Sequence, residues 1–349
     1  MATNSDAATR TSIRTRREQP ASPASGARRS ARRLGLISSV AVIGAALAAV
    51  TALPGGGAAS RADAAVLTNC AAKPSACGYP DGTNTGVPSG MTLKSVPSQI
   101  SSGPGWSYNA AGGDVVVTGS GTVLSGLYIP YNLVIEASNV TVDDVQVVAG
   151  GNFGIELEHT TGVTIENSTV SGQNSATGRV GYAIYDVYGD STGMVINADN
   201  ISYFKTAIQM NTGLIENNYI YNPGYVAGDH TNGIFDNGGT EPMTIKNNTI
   251  FNNLSQTDDI SLDAESANAP VANKTIENNF LAGGSYTIYG GDSLGNTISN
   301  IVIEGNRFGQ LYYSRSGQYG ADAYFATAGT GNVWSGNFWD TTGQAITNP

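Results

Sequence analysis

Ile215-Glu-Asn-Asn-Tyr-Ile220 returns along the chain as Ile245-Lys-Asn-Asn-Thr-Ile250, Ile276-Glu-Asn-Asn-Phe-Leu281 and Ile303-Glu-Gly-Asn-Arg-Phe308, with Ile165 to Val170 as a degenerate copy. A second mark, an Ile after a small or polar residue, stands at Ile155, Ile184, Ile208, Ile234, Ile260 and Ile288, with Leu127 as an earlier member. Each repeat holds short segments of period two separated by Gly, Asn and Asp, and is too short to bury a core of its own. The units must therefore stack. At the ~4.8 Å strand spacing the Ile side chains of successive coils form one buried column, and the turn Asn side chains form ladders. This is the pattern of a parallel β-helix. A sandwich or propeller also has many short strands, but a propeller blade needs ~40 residues, and hairpin signals here are few.

The composition agrees. Charged residues make up 13% of the chain while Gly reaches 45, a balance of many turns and few exposed helices. Nine of the 17 basic residues lie in the first 64, so residues 65–349 carry 24 acids against 8 bases, a formal charge of −16. Such an acidic domain has no footprint for nucleic acid. The basic N-terminus, the apolar run Leu34–Leu53 and the tripeptide Ala62-Asp-Ala64 spell an export signal, with cleavage expected after Ala64 and no stable membrane association afterwards. In an exported chain, Cys70 and Cys77 are expected to form a disulfide. The expected organisation is a signal at 1–64, a Cys loop and cap at 65–114, and the β-helix at 115–349. The late aromatic residues, among them Trp334, Phe338 and Trp339, are expected to close the last coil.

The Asn-Asn repeats, from Val115 to Trp339, resemble those of the right-handed parallel β-helix proteins of the pectate-lyase-like superfamily. The segment Cys77-Gly-Tyr-Pro-Asp-Gly-Thr-Asn-Thr-Gly-Val-Pro88 is similar to that of secreted actinobacterial proteins of this kind. The resemblance implies an all-β, right-handed solenoid with a short N-terminal cap, secreted and acting on an extended polysaccharide.

If each marked Ile points inward, alternation turns its neighbours outward. The resulting outer column holds Glu156 and Glu158, Tyr185, Gln209 and Asn211, Phe235 and Asn237, then Asp259, Ser261, Asp263 and Glu265, and Tyr289. Arg179, Lys205, Asp229 and His230 lie in the segments that enter these strands. Acids, amides and aromatic rings in line suit a glycan: Tyr185, Gln209, Asn211, Asn237 and Tyr289 are the expected substrate contacts.

Elimination from a uronate needs its carboxylate neutralised, by Ca²⁺ on Asp259, Asp263 and Glu265 or by Arg, and a base, for which His230, Lys205 and Arg179 are available. Hydrolysis instead needs two carboxyls in different protonation states, which adjacent coils can supply. Here Thr231-Asn-Gly-Ile234 and Thr257-Asp-Asp-Ile260 look like elements of polygalacturonase-type hydrolases, though Asn232 stands where that family has an Asp. The likeness implies catalytic roles only for Asp258 and Asp259. Asp186 and Asp236 fall in the inward phase, as buried acids or as caps of backbone N–H groups. A non-catalytic glycan-binding shaft has the same surface. The reading places uronate lyase first, hydrolase second and binder third.

Overall fold

The computed structural model describes residues 70–173, 178–263 and 269–347, all within one compact unit, Asp63–Pro349. The expected export signal and cleavage site lie outside the described residues, as does Glu265. The described chain is a parallel β-solenoid of about seven turns. Its strands fall into three sheets of 10, 11 and 9 strands, and in the body of the coil each strand pairs with the strand three places on in the chain.

Each sheet contributes one inward column. In the first sheet it runs Ile129, Val147, Val170, Ile201, Ile220, Ile250, Leu281, Phe308. In the second it runs Leu133, Ile155, Ile184, Ile208, Ile234, Ile260, Ile288. In the third it runs Val142, Ile165, Ile196, Ile215, Ile245, Ile276, Ile303. All of these side chains are at most 1% exposed, so the core is continuous along the axis. Leu127 is not the earlier member of the Ile155 column; that place is taken by Leu133, and Leu127 belongs to the first sheet.

The repeated motif is the corner from the third sheet to the first. Its first Asn, at 217, 247 and 278, has φ of 59°, 50° and 55°, the left-handed region that Asn tolerates and that turns the chain. Its second Asn, at 218, 248, 279, 306 and 337, is buried. Each of the first four donates its backbone N–H to the Oδ1 of the next, at 2.9 to 3.0 Å. Their amide groups donate to a carbonyl of the preceding coil: Asn248 Nδ2 lies 3.0 Å from the Ile215 carbonyl. These bonds satisfy corner backbone that water cannot reach.

Residues 94–117 close one end through an antiparallel hairpin, Ser102–Gly103 and Trp106–Asn109, paired on Asp114–Val117. The Cys70–Cys77 disulfide is present, with Cα atoms 5.8 Å apart. Its loop lies along the outer face of the first sheet: Cys70 is buried with Phe251, Phe280 and Ala282, Tyr79 meets Phe280 at 5.4 Å between ring centroids, and Val87 N–H reaches Thr169 Oγ1 at 3.2 Å. Among the described residues no helix is long and apolar enough to cross a membrane.

Candidate functional site

The outer face of the second sheet carries two parallel rows, set by the register of its strands. One row is Phe153, Tyr182, Thr206, Asn232, Asp258, then Tyr286; the other is Glu156, Tyr185, Gln209, Phe235, Ser261, Tyr289. The corners on either side of this sheet are loops of varied length, unlike the tight Asn corner, so the rows lie between two loop borders.

Aromatic rings gather at both ends. Tyr182 and Tyr185 stack at 4.5 Å, with Phe153 stacked on Tyr185 at 5.7 Å and Lys205 Nζ 5.4 Å above the Tyr182 ring. Four coils on, Tyr286 and Tyr289 meet edge to face at 5.7 Å, and Tyr324 stacks on Tyr289 at 5.7 Å. Between them lie Thr206, Gln209, Asn232, Phe235, Asp258 and Ser261. From Phe153 to Tyr286 the row spans five coil steps, about 24 Å at the usual strand spacing.

The face therefore holds Tyr185, Gln209 and Tyr289 as expected, and adds Phe153, Tyr182 and Tyr286. Those three each lie two residues before a marked Ile. The intervening residue faces inward, because the strand bends there and two consecutive side chains turn to the core. That inward column is Gly154, Ala183, Ala207, Gly233, Asp259, Thr287. At Gly233 no side chain fits: a Cβ there would sit 2.6 Å from Ile250 Cγ2 and 2.3 Å from the Asp259 carbonyl oxygen.

Asp259 is thereby corrected. It is not on the outer face but fully buried, its Oδ1 taking the Asn252 N–H at 3.2 Å. Burial pushes its carboxyl well above the usual range, against the pull of N–H groups from Ala282 and Asn252. Asp258 is the acid of the outer row. It is 1% exposed, and burial pushes it far up, with Asp259 and Asp263 adding to the effect.

Asp263 is half-buried and raised by burial, and its Oδ1 accepts the Ser293 hydroxyl. Asp259 faces the core, Asp263 is held by Ser293, and Glu265 lies outside the described residues. Among the described residues no three His, Cys, Asp or Glu side chains gather as a metal group.

The basic residues differ in availability. Arg179 is clamped by Asp229 through Nε and Nη2, both at 2.5 Å. Lys205 extends over Tyr182. His230 is exposed, its Nε2 3.2 Å from Gln256 Nε2. Asn211 and Asn237 tie neighbouring coils: Asn237 N–H donates to Asn211 Oδ1 at 3.2 Å, and Gln209 Nε2 to Asn237 Oδ1 at 2.7 Å.

Asp186 and Asp236 face inward as expected, and both cap backbone, at Ser191 and Gly238. Asp236 has a partner the sequence did not disclose: Lys274, buried in the core, reaches its Oδ2 at 3.1 Å and the Asn211 carbonyl at 2.7 Å. Burial raises Asp236 more than Lys274 lowers it. Sequence reasoning also passed over His159, whose Nδ1 lies 2.6 Å from Asp190 and whose ring stacks on Tyr188 at 4.2 Å; both acid and imidazole are exposed, and such pairs contribute little.

No protein-family model, no curated protein and no solved structure matches the chain.

Proposed function

We propose that the protein is exported and binds an extended polysaccharide along the outer face of the second sheet, where it cleaves it. The observation that carries this reading is the order of the face: stacked Tyr182 and Tyr185, then a mainly polar stretch of amides, hydroxyls and Asp258 with Phe235 among them, then Tyr286 and Tyr289. Tyrosine faces pack on the apolar faces of sugar rings, and amides between them pair with hydroxyls at both donor and acceptor. The Cys70–Cys77 disulfide suits an oxidising compartment.

Of the two bond-breaking chemistries, hydrolysis draws on the buried acids of this face and stands first. Asp258 holds its proton by burial and is the general acid that protonates the leaving glycosidic oxygen. Its carboxyl is covered in the free protein, so the glycan displaces neighbouring side chains to reach it. Asp263, on the same strand's exit and less buried, is the second carboxyl: as the carboxylate it takes a proton from the water that attacks the anomeric carbon as the glycosidic bond breaks. Elimination from a uronate-containing glycan, the chemistry of the pectate-lyase-like proteins the repeats resemble, is the second reading. It is favoured by Lys205 and His230 at the border of the row, since Arg179 is committed to Asp229.

The test is incubation with acidic and neutral polysaccharides, with and without Ca²⁺ chelation. New reducing ends without unsaturated uronate absorbance, abolished by Asp258→Asn while polymer binding persists, are the expected result. Absorbance that survives Asp258→Asn and is lost in Lys205→Ala or His230→Ala would replace hydrolysis by elimination. Retention on a glycan column with no product would leave a binding shaft, and no retention on any glycan would overturn the reading.

A further inference from the structure

A second feature lies at the far end of the solenoid, where the last strand of the second sheet, Gly320–Ala323, meets the C-terminal tail. A cavity of about 520 Å³ opens there, walled by Tyr286, Tyr319, Trp339 and Ile346, with Asp322 in its lining and Arg315 beside it. Its size is that of a pocket for a small organic molecule. The wall is shaped by a glycine: a Cβ on Gly320 would lie 3.2 Å from the Tyr286 ring, so that ring folds over the strand. Tyr286 and Tyr319 meet at 5.8 Å, tilted by 45°.

Arg315 is the informative residue. The other two arginines among the described residues are each spent on a carboxylate, Arg179 on Asp229 and Arg307 on Asp340. Arg315 makes no ion pair among the described residues; it is exposed, and its Nη1 reaches only the Tyr319 carbonyl, at 3.5 Å. In a domain of 24 acids and 8 bases, a guanidinium left open beside an aromatic pocket is a recognition element for an anion. Its planar fork matches a carboxylate, and the flat rings around it match a ring.

We propose that this pocket binds a small carboxylate-bearing ring compound, with Arg315 holding the carboxylate and Tyr286, Tyr319 and Trp339 enclosing the ring. The pocket shares Tyr286 with the end of the outer row, but it needs neither a polymer nor bond cleavage. A sugar acid and an aromatic acid share this chemistry, and the arms of the test separate them.

Galacturonate, glucuronate and 4-hydroxybenzoate, with galactose, glucose and phenol as neutral counterparts, are titrated calorimetrically into the whole chain and into Arg315→Ala and Arg315→Lys. At least one carboxylated ring is expected to bind at least about tenfold tighter than its neutral counterpart. Arg315→Ala should weaken it by about tenfold or more, with an unchanged melting temperature, and Arg315→Lys should fall between. Preference for the sugar acids or for the aromatic acid then names the source. No binding of any carboxylated ring, equal affinity for the neutral compounds, or an Arg315→Ala variant that binds as tightly as the parent would each overturn the proposal.

Discussion

Asp199 occupies the ladder place held by Asn in later coils. Its Oδ1 accepts the Ser168 N–H at 2.6 Å, but its Oδ2 is buried without a hydrogen-bond partner, where an Asn would donate as Asn218 Nδ2 does to the Ile196 carbonyl. Burial pushes the Asp199 carboxyl well above the usual range. The sign follows: the unfolded chain releases this proton near pH ~4 while the folded chain keeps it, so the group erodes stability as pH rises above that value. Asp199→Asn is therefore expected to stabilise the fold by about 1–3 kcal/mol at pH 7, with the gain shrinking toward pH 4, where the protonated acid can itself donate. Thermal melts at both values check this; a variant less stable at pH 7 would refute it. The Ile-Asn-Ala-Asp-Asn-Ile201 stretch shows this place in the sequence once the motif is read as Ile-x-x-Asn with Asp allowed. Asp259 was not legible in the same way, because strict alternation fails where the strand bends, and only the run of Gly and Ala at the same place in four coils hinted at it.

Among elements, the Asn corner is the firm one and the second sheet the adaptable one. Asn248 alone joins its neighbours through Asn279 Oδ1 and the carbonyls of Ile215 and Lys246. Asn248→Ala should cost about 3 kcal/mol in a urea unfolding series, since it leaves several buried groups unmatched. Ser335→Ala, in the exposed Ser335–Glu304 pair, should stay within about 0.5 kcal/mol. Equal costs would show that the corner is not held by its side-chain ladder. The second sheet has no such repeated corner, and its bordering loops differ from coil to coil. That freedom lets it carry Tyr, Asn and Asp in one row, and it is why periodicity located the sheet but not all of its outer residues. Tyr185, Gln209 and Tyr289 were legible because they follow the inward Ile directly; Tyr182 and Tyr286 were not, because they sit across the bend.

For the whole molecule, each coil touches only its neighbours, so a segment that crosses several coils has an effect beyond its length. The Cys loop is such a segment, running from the coil of Thr169 to that of Phe280, where Arg307 lies 5.9 Å from the Tyr79 ring. Cys77→Ser should lower stability by about 2.5 kcal/mol through the lost chain closure and expose the loop to protease before the coils open. Simultaneous loss of loop and coil protection in limited proteolysis would contradict that order. The sequence by itself determined the solenoid and its Asn ladders, because a buried Ile column and a recurring Asn turn depend only on residues a fixed distance apart. Tertiary structure alone decided which acid faces out, where the Cys loop lies, that Lys274 meets Asp236 inside the core and that Arg315 opens on a pocket. Each of these depends on contacts between coils or on a local bend, and neither has a period that a single chain can display.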